Sequence, residues 1–113
     1  MKSEFKDPLT TQFLGDGLWE VTLVFGYLSE LMDNIVVVPT GFITNFASVP
    51  YKTDPRPAVI HDYLYTRKDI SRKLADQVFL EAMNVAQDVA PWRRKIRYWA
   101  VRLFGGSHKT KGE

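Results

Sequence analysis

Near residue 57 the chain changes its hydrophobic period, and that change limits the folds open to it more than any other feature. Before it, apolar residues alternate. Trp19, Val21, Leu23, Phe25 and Tyr27 fall on one side of the segment Leu18 to Leu28, with Glu20 and Thr22 on the other, which is the period of a half-buried strand. Asp33-Asn34 then supplies residues that tolerate tight-turn angles, and the β-branched run Ile35 to Val38 follows, so the two segments read as a hairpin. Thr10 to Leu14 adds a short strand before the turn signal Gly15-Asp16-Gly17, and Pro39 limits the second hairpin strand or places it at an edge.

After residue 57 the pattern is helical. Pro57 suits a first helical turn, and Ala58, His61, Leu64 and Tyr65 share one broad face until Thr66 to Asp69 breaks the pattern. Ser71 is an N-cap for a second helix running to about Asp88, with Ala75, Phe79, Ala82 and Ala86 on one stripe. Pro91 opens a third helix, which Gly105-Gly106 ends. In that helix Trp92, Ile96, Trp99, Ala100 and Leu103 are expected to face inward and Arg93, Arg94, Arg97 and Arg102 mostly outward, so Trp92, Trp99 and Phe79 are read as core. Strands followed by helices are the pattern of the α+β class, and 113 residues leave room for one core. The expected architecture is a single α+β domain over residues 1–106, an N-terminal β-hairpin region against three C-terminal helices, with a mobile polar tail over 107–113.

Composition removes several classes of function. With no cysteine there is no disulfide framework, no thiolate metal site and no cysteine nucleophile. Apolar runs such as Ile35 to Val38 fall far short of the ~20 residues of a membrane helix, so no transmembrane segment is expected. Met1 to Pro8 lacks the basic start and apolar run of a secretory signal. Charge is unevenly spread: residues 1–89 carry a net −4 and residues 90–113 a net +6. The basic end, with Arg93, Arg94, Arg97, Lys109 and Lys111, could meet phosphate of nucleic acid or of anionic lipid, or be a solvated helix face plus tail, and the second reading is taken. No nucleic-acid module accompanies it, so no specific nucleic-acid binding and little binding to anionic vesicles are expected.

Chemistry concentrates at His61-Asp62-Tyr63-Leu64-Tyr65 and at Asp76. His61 and Tyr65 are four residues apart and share a helix face, while Asp62 points about 100° round. A short connection favours antiparallel packing of the first two helices, which brings Asp76 towards His61. Asp76 could then hold one imidazole nitrogen while the other takes a proton from water, a His/Asp dyad at the mouth of a cleft. Equally, His61 could be a satisfied core histidine, with Asp76 its partner or an i,i+4 partner of Arg72. The connecting loop Gly41 to Pro50 offers Thr44, Asn45 and Ser48 to the same place, or uses them to satisfy its own backbone. A zinc site, which wants three or four ligands, fits poorly with His61 and His108 as the two histidines and His108 in the tail, and no Gly-rich phosphate loop is present. A Ser48-His61-Asp76 triad lacks a nucleophile-elbow motif.

Several of these segments resemble a family of small proteins encoded by bacteriophages and prophages and classed as a domain of unknown function. The matching residues are Pro39 to Pro50, Ala58 to Tyr65, Ser71-Arg72 with Ala75-Asp76, Trp92, and Ala100 to Gly105. The resemblance implies a phage setting, in the bacterial host cytoplasm or the phage particle, and phage structural proteins or the cell envelope as partners. The family's loop typically has aspartate where this chain has Asn45. A more distant likeness concerns mechanism: His61-Asp62-x-x-Tyr65 followed by Asp76, with Phe79 three residues on, is similar to the active-site helices of phospholipase A2 enzymes. That resemblance implies that His61 activates water, that Asp62 holds a calcium ion, and that Asp76 with Tyr65 orients His61. Two function classes result. One is a small hydrolase acting on an ester of lipid or cell envelope; the other is a non-catalytic phage particle or assembly protein in which the same residues are structural.

Overall fold

The computed structural model describes residues 2–46 and 53–109 and has two small antiparallel sheets followed by three helices. Glu4–Phe5 (β1), Phe25–Ser29 (β4) and Asn34–Val38 (β5) form one sheet in the order β1-β4-β5; Thr11–Gly15 (β2), Leu18–Val21 (β3) and Ile43–Thr44 (β6) form the other in the order β2-β3-β6. The expected hairpin is β4–β5, with Phe25 opposite Val38, Tyr27 opposite Val36 and Ser29 opposite Asn34. Asp33 takes a positive φ of 51° at its turn. Alternation along β5 buries Val36 and Val38 and leaves Ile35 and Val37 exposed.

One expected strand is two. The alternating segment Leu18 to Leu28 is interrupted between Val21 and Phe25, and its halves belong to different sheets. At the break the Thr22 amide donates to the Thr10 carbonyl at 3.0 Å, and Leu23 and Val24 are exposed. Val21 and Phe25 keep the same parity and both stay buried, because alternation records which face is covered and is silent about which strand lies alongside. A second difference lies in the loop Gly41 to Pro50, where Ile43–Thr44 adds a short strand, Thr44 opposite Trp19 and Ile43 opposite Glu20.

The helices are α1 (Arg56–Thr66), α2 (Arg72–Ala86) and α3 (Pro91–Phe104). Asp54 opens α1: its carboxylate accepts from the Arg56 amide at 2.9 Å and grips the Arg56 guanidinium, which stacks 4.1 Å over the Phe5 ring. Ser71 caps α2 by accepting from the Leu74 amide at 3.1 Å, and Gln87 ends it in the left-handed conformation, φ 54°. The core lies between Val21, Phe25, Tyr27, Val36 and Val38 of the sheets and Val59, Ile60 and Leu64 of α1 with Ala75, Val78 and Ala82 of α2. Glu81 of α2 fastens the hairpin to this layer, accepting from the Tyr27 hydroxyl at 2.6 Å and the Leu31 amide at 2.9 Å. Burial, with the Glu81 carboxylate second, pushes the Tyr27 phenol far up, so it remains a donor.

The third helix is rotated from its expected setting. Trp92, Ile96, Trp99 and Leu103 point to solvent, with Trp92 and Trp99 both 59% exposed, and α3 contains no buried residue. Phe79 alone of the three expected core aromatics is buried. Polar ties determine the rotation. Arg102 reaches inward to Asp76, Arg94 donates to the Val89 carbonyl and to Asn84, and Arg72 of α2 donates to the carbonyls of Val101 and Arg102 at the end of α3. A buried carboxylate without a cation costs several kcal/mol, and periodicity carries no information about that demand. Past α3 a 3-10 turn spans Gly105–His108, and Lys109 Nζ donates to the Arg67 carbonyl at 2.7 Å. Among the described residues no helix is long and apolar enough to cross a membrane.

Candidate functional site

Antiparallel packing of α1 on α2 brings His61, Tyr65 and Asp76 together as the spacing predicts. His61 and Tyr65 stand one turn apart on α1, and Asp76 comes from the first half of α2. Asp76 Oδ1 lies 2.7 Å from His61 Nε2 and accepts from the Tyr65 hydroxyl at 2.6 Å, while Oδ2 accepts from Arg102 Nη1 at 2.9 Å. Asp76 is wholly buried and His61 is 2% exposed. The imidazole packs against two rings, 4.2 Å between ring centroids from Tyr65 and 4.7 Å from Phe79. His61 is therefore enclosed where the spacing alone suggests a cleft mouth.

Electrostatics at this centre follow from the carboxylate. Burial raises the Asp76 pKa, but hydrogen bonds from His61, Tyr65 and Arg102 outweigh it and hold the group below its ordinary 3.8. Asp76 is thus an anion and accepts only, so His61 Nε2 carries a proton and donates. Burial, and then the bond to Asp76, raise the Tyr65 phenol well above its usual range, so it too stays a donor.

The other predicted residues form an adjoining arrangement. Thr44, buried at the end of β6, donates its hydroxyl to Asp62 Oδ2 at 2.5 Å and accepts from the Phe46 amide at 3.1 Å. Thr44 and Asp62 thereby tie the second sheet to α1 next to His61, and Asn45 follows Thr44 directly. Ser48 lies outside the described residues. Calcium takes six to eight oxygens. One Asp62 oxygen is engaged by Thr44, and among the described residues no group of three or more His, Cys, Asp or Glu is placed to hold a metal ion.

One member of the centre escapes the sequence reading, and another plays a different part from the one expected. Arg102, assigned to the solvent face, is the cation that pairs Asp76. Arg72 holds the end of α3 and stands 3.9 Å from Asp76 Oδ2, so its i,i+4 relation to Asp76 is the looser of the two pairings. For Arg102 the available signal was its place in the segment Ala100 to Gly105, beside small residues that allow close approach. Gly105 shows this directly, since a Cβ there would lie 2.6 Å from the Tyr65 hydroxyl oxygen.

Comparison with curated proteins and with solved structures finds no match. Thr44, Asn45, His61, Asp62, Tyr65, Arg72 and Asp76 all fall within residues 19–101, the segment that matches the model of a family described as a protein of unknown function (DUF1353), and the chain belongs to that family.

Proposed function

We propose that the protein is a small phage-encoded hydrolase in which His61 activates water for attack on a carboxylic ester of a phospholipid or another cell-envelope component. The observation that carries this is the sharing of one buried carboxylate oxygen, Asp76 Oδ1, between His61 Nε2 and the Tyr65 hydroxyl. Nε2 is bonded to Asp76, so this reading requires Nδ1 to be the atom that takes up the proton. In the reaction, Nδ1 takes a proton as the water oxygen bonds to the ester carbonyl carbon, and the tetrahedral species then expels the alcohol, which receives that proton back. Asp76 stabilises the imidazolium formed between these steps, and Tyr65 and Phe79 fix the plane of the ring.

One observation favours the second class, a phage particle or assembly protein with the same residues as internal polar ties: His61 and Asp76 are both buried. A paired measurement on His61→Ala separates the two. A catalytic His61 means that the variant, destabilised by the loss of a buried partner of Asp76 but still folded, loses hydrolysis of a phospholipid or ester substrate that the wild type cleaves. A structural His61 means no hydrolysis by either protein, together with a loss of roughly 1 to 3 kcal/mol or more, the cost of stranding a buried hydrogen-bonding group.

A further inference from the structure

The outward stripe of α3 meets no other element among the described residues. Trp92, Ile96, Trp99 and Leu103 recur at spacings of four, three and four residues, so they lie along one line of the helix about 16 Å long. Each is more than half exposed, and Phe104 beyond them is exposed as well. Between Pro91 and Phe104 the helix carries five basic side chains and no acidic one. Arg94 and Arg102 are spent on the body of the protein, whereas Arg93 and Lys95 are exposed and project on either side of the stripe. The Arg93 guanidinium lies 5.2 Å from the centre of the Trp92 ring.

Charge decides what can cover such a face. A second copy seated stripe to stripe would bring Arg93 and Lys95 against another basic helix with no carboxylate on either to pair them. An anionic bilayer supplies what is missing: phosphates for the flanks, a headgroup layer suited to tryptophan, and an acyl boundary for the isoleucine and leucine. Turned inward, as periodicity predicts, the stripe would leave only a modest basic patch. Turned outward, it makes one amphipathic surface. We propose that α3 is a peripheral membrane anchor, lying flat on an anionic lipid surface with Trp92, Ile96, Trp99 and Leu103 inserted and Arg93 and Lys95 on the lipid phosphates.

The test uses the full chain and vesicles of ether-linked lipids, which contain no ester, so that binding is measured apart from any hydrolysis at His61. Phosphatidylcholine vesicles with and without phosphatidylglycerol are followed by sedimentation and tryptophan emission. Expected are co-sedimentation and a blue shift with phosphatidylglycerol only, weakened by salt and by about fivefold for each of Arg93→Gln and Lys95→Gln. Ile96→Ser with Leu103→Ser should weaken binding by about tenfold or more while leaving the melting temperature unchanged, since both side chains are already exposed. The proposal is overturned by an absence of binding, by equal binding to neutral vesicles, or by indifference to the Ile96 and Leu103 changes. It is equally overturned if the blue shift occurs without lipid and tracks a dimer, which would make a second copy the occupant.

Discussion

Asp76→Asn tests the account of the buried centre most directly, because the substitution keeps shape and removes charge. The amide oxygen can still accept from His61 and Tyr65, although without the strength an anion adds. The amide nitrogen would replace the Oδ2 that Arg102 contacts at 2.9 Å, turning a charge-assisted bond into a contact between two donors. Breaking a buried ion pair from one side costs about 3 to 5 kcal/mol. Arg102 keeps 25% of its side chain in water, so the lower end, about 3 kcal/mol, is expected. With a urea m-value of ~1 to 3 kcal/mol per molar, the unfolding midpoint falls by roughly 1 to 3 M at an unchanged slope. The pH dependence has a definite sign. The folded-state pKa of Asp76 is depressed below 3.8, so its contribution is complete above that ordinary value and is lost as pH falls through the folded value. The gap between wild type and variant should therefore narrow on the acid limb. A variant within about 0.5 kcal/mol of wild type at neutral pH, or a gap unchanged in acid, would refute the central role of the carboxylate.

Trp99→Ala should leave the unfolding free energy within about 0.5 kcal/mol of wild type, whereas Phe79→Ala should cost about 3 to 5 kcal/mol; equal losses in denaturant titrations would restore α3's stripe to the core. Gly105→Ala drives a methyl group against the Tyr65 hydroxyl, which its bond to Asp76 keeps from moving, and should cost about 1 to 3 kcal/mol. Combined with Tyr65→Phe, which removes the offending oxygen, the two changes should cost less than their sum, and simple additivity would count against the clash.

The centre itself was half legible. His61, Tyr65 and Asp76 could be read together because an i,i+4 spacing and a short interhelical connection are local facts. Arg102 could not, since it is 26 residues from Asp76 and reaches it only once α3 has taken its place against α2. The contact of Thr44 with Asp62 likewise depends on pairing β6 with β3, a register that no pattern within residues 41–46 encodes.

From sequence alone came the α+β class, the β4–β5 hairpin, the three helices, the cap at Ser71 and the opening of α3 at Pro91, all set by local periodicity and by the local preferences of proline, serine, asparagine and aspartate. Two matters were left to the tertiary structure. The strand from Leu18 divides because its two halves find different partners, and partners are chosen across the sheets rather than along the chain. α3 turns its tryptophans outward because a carboxylate buried on α2 requires Arg102, and because Arg72 holds the carbonyls at the helix end. Amphipathicity shows that a helix has two unlike faces; which of them meets the protein is settled by the charges already buried beneath it.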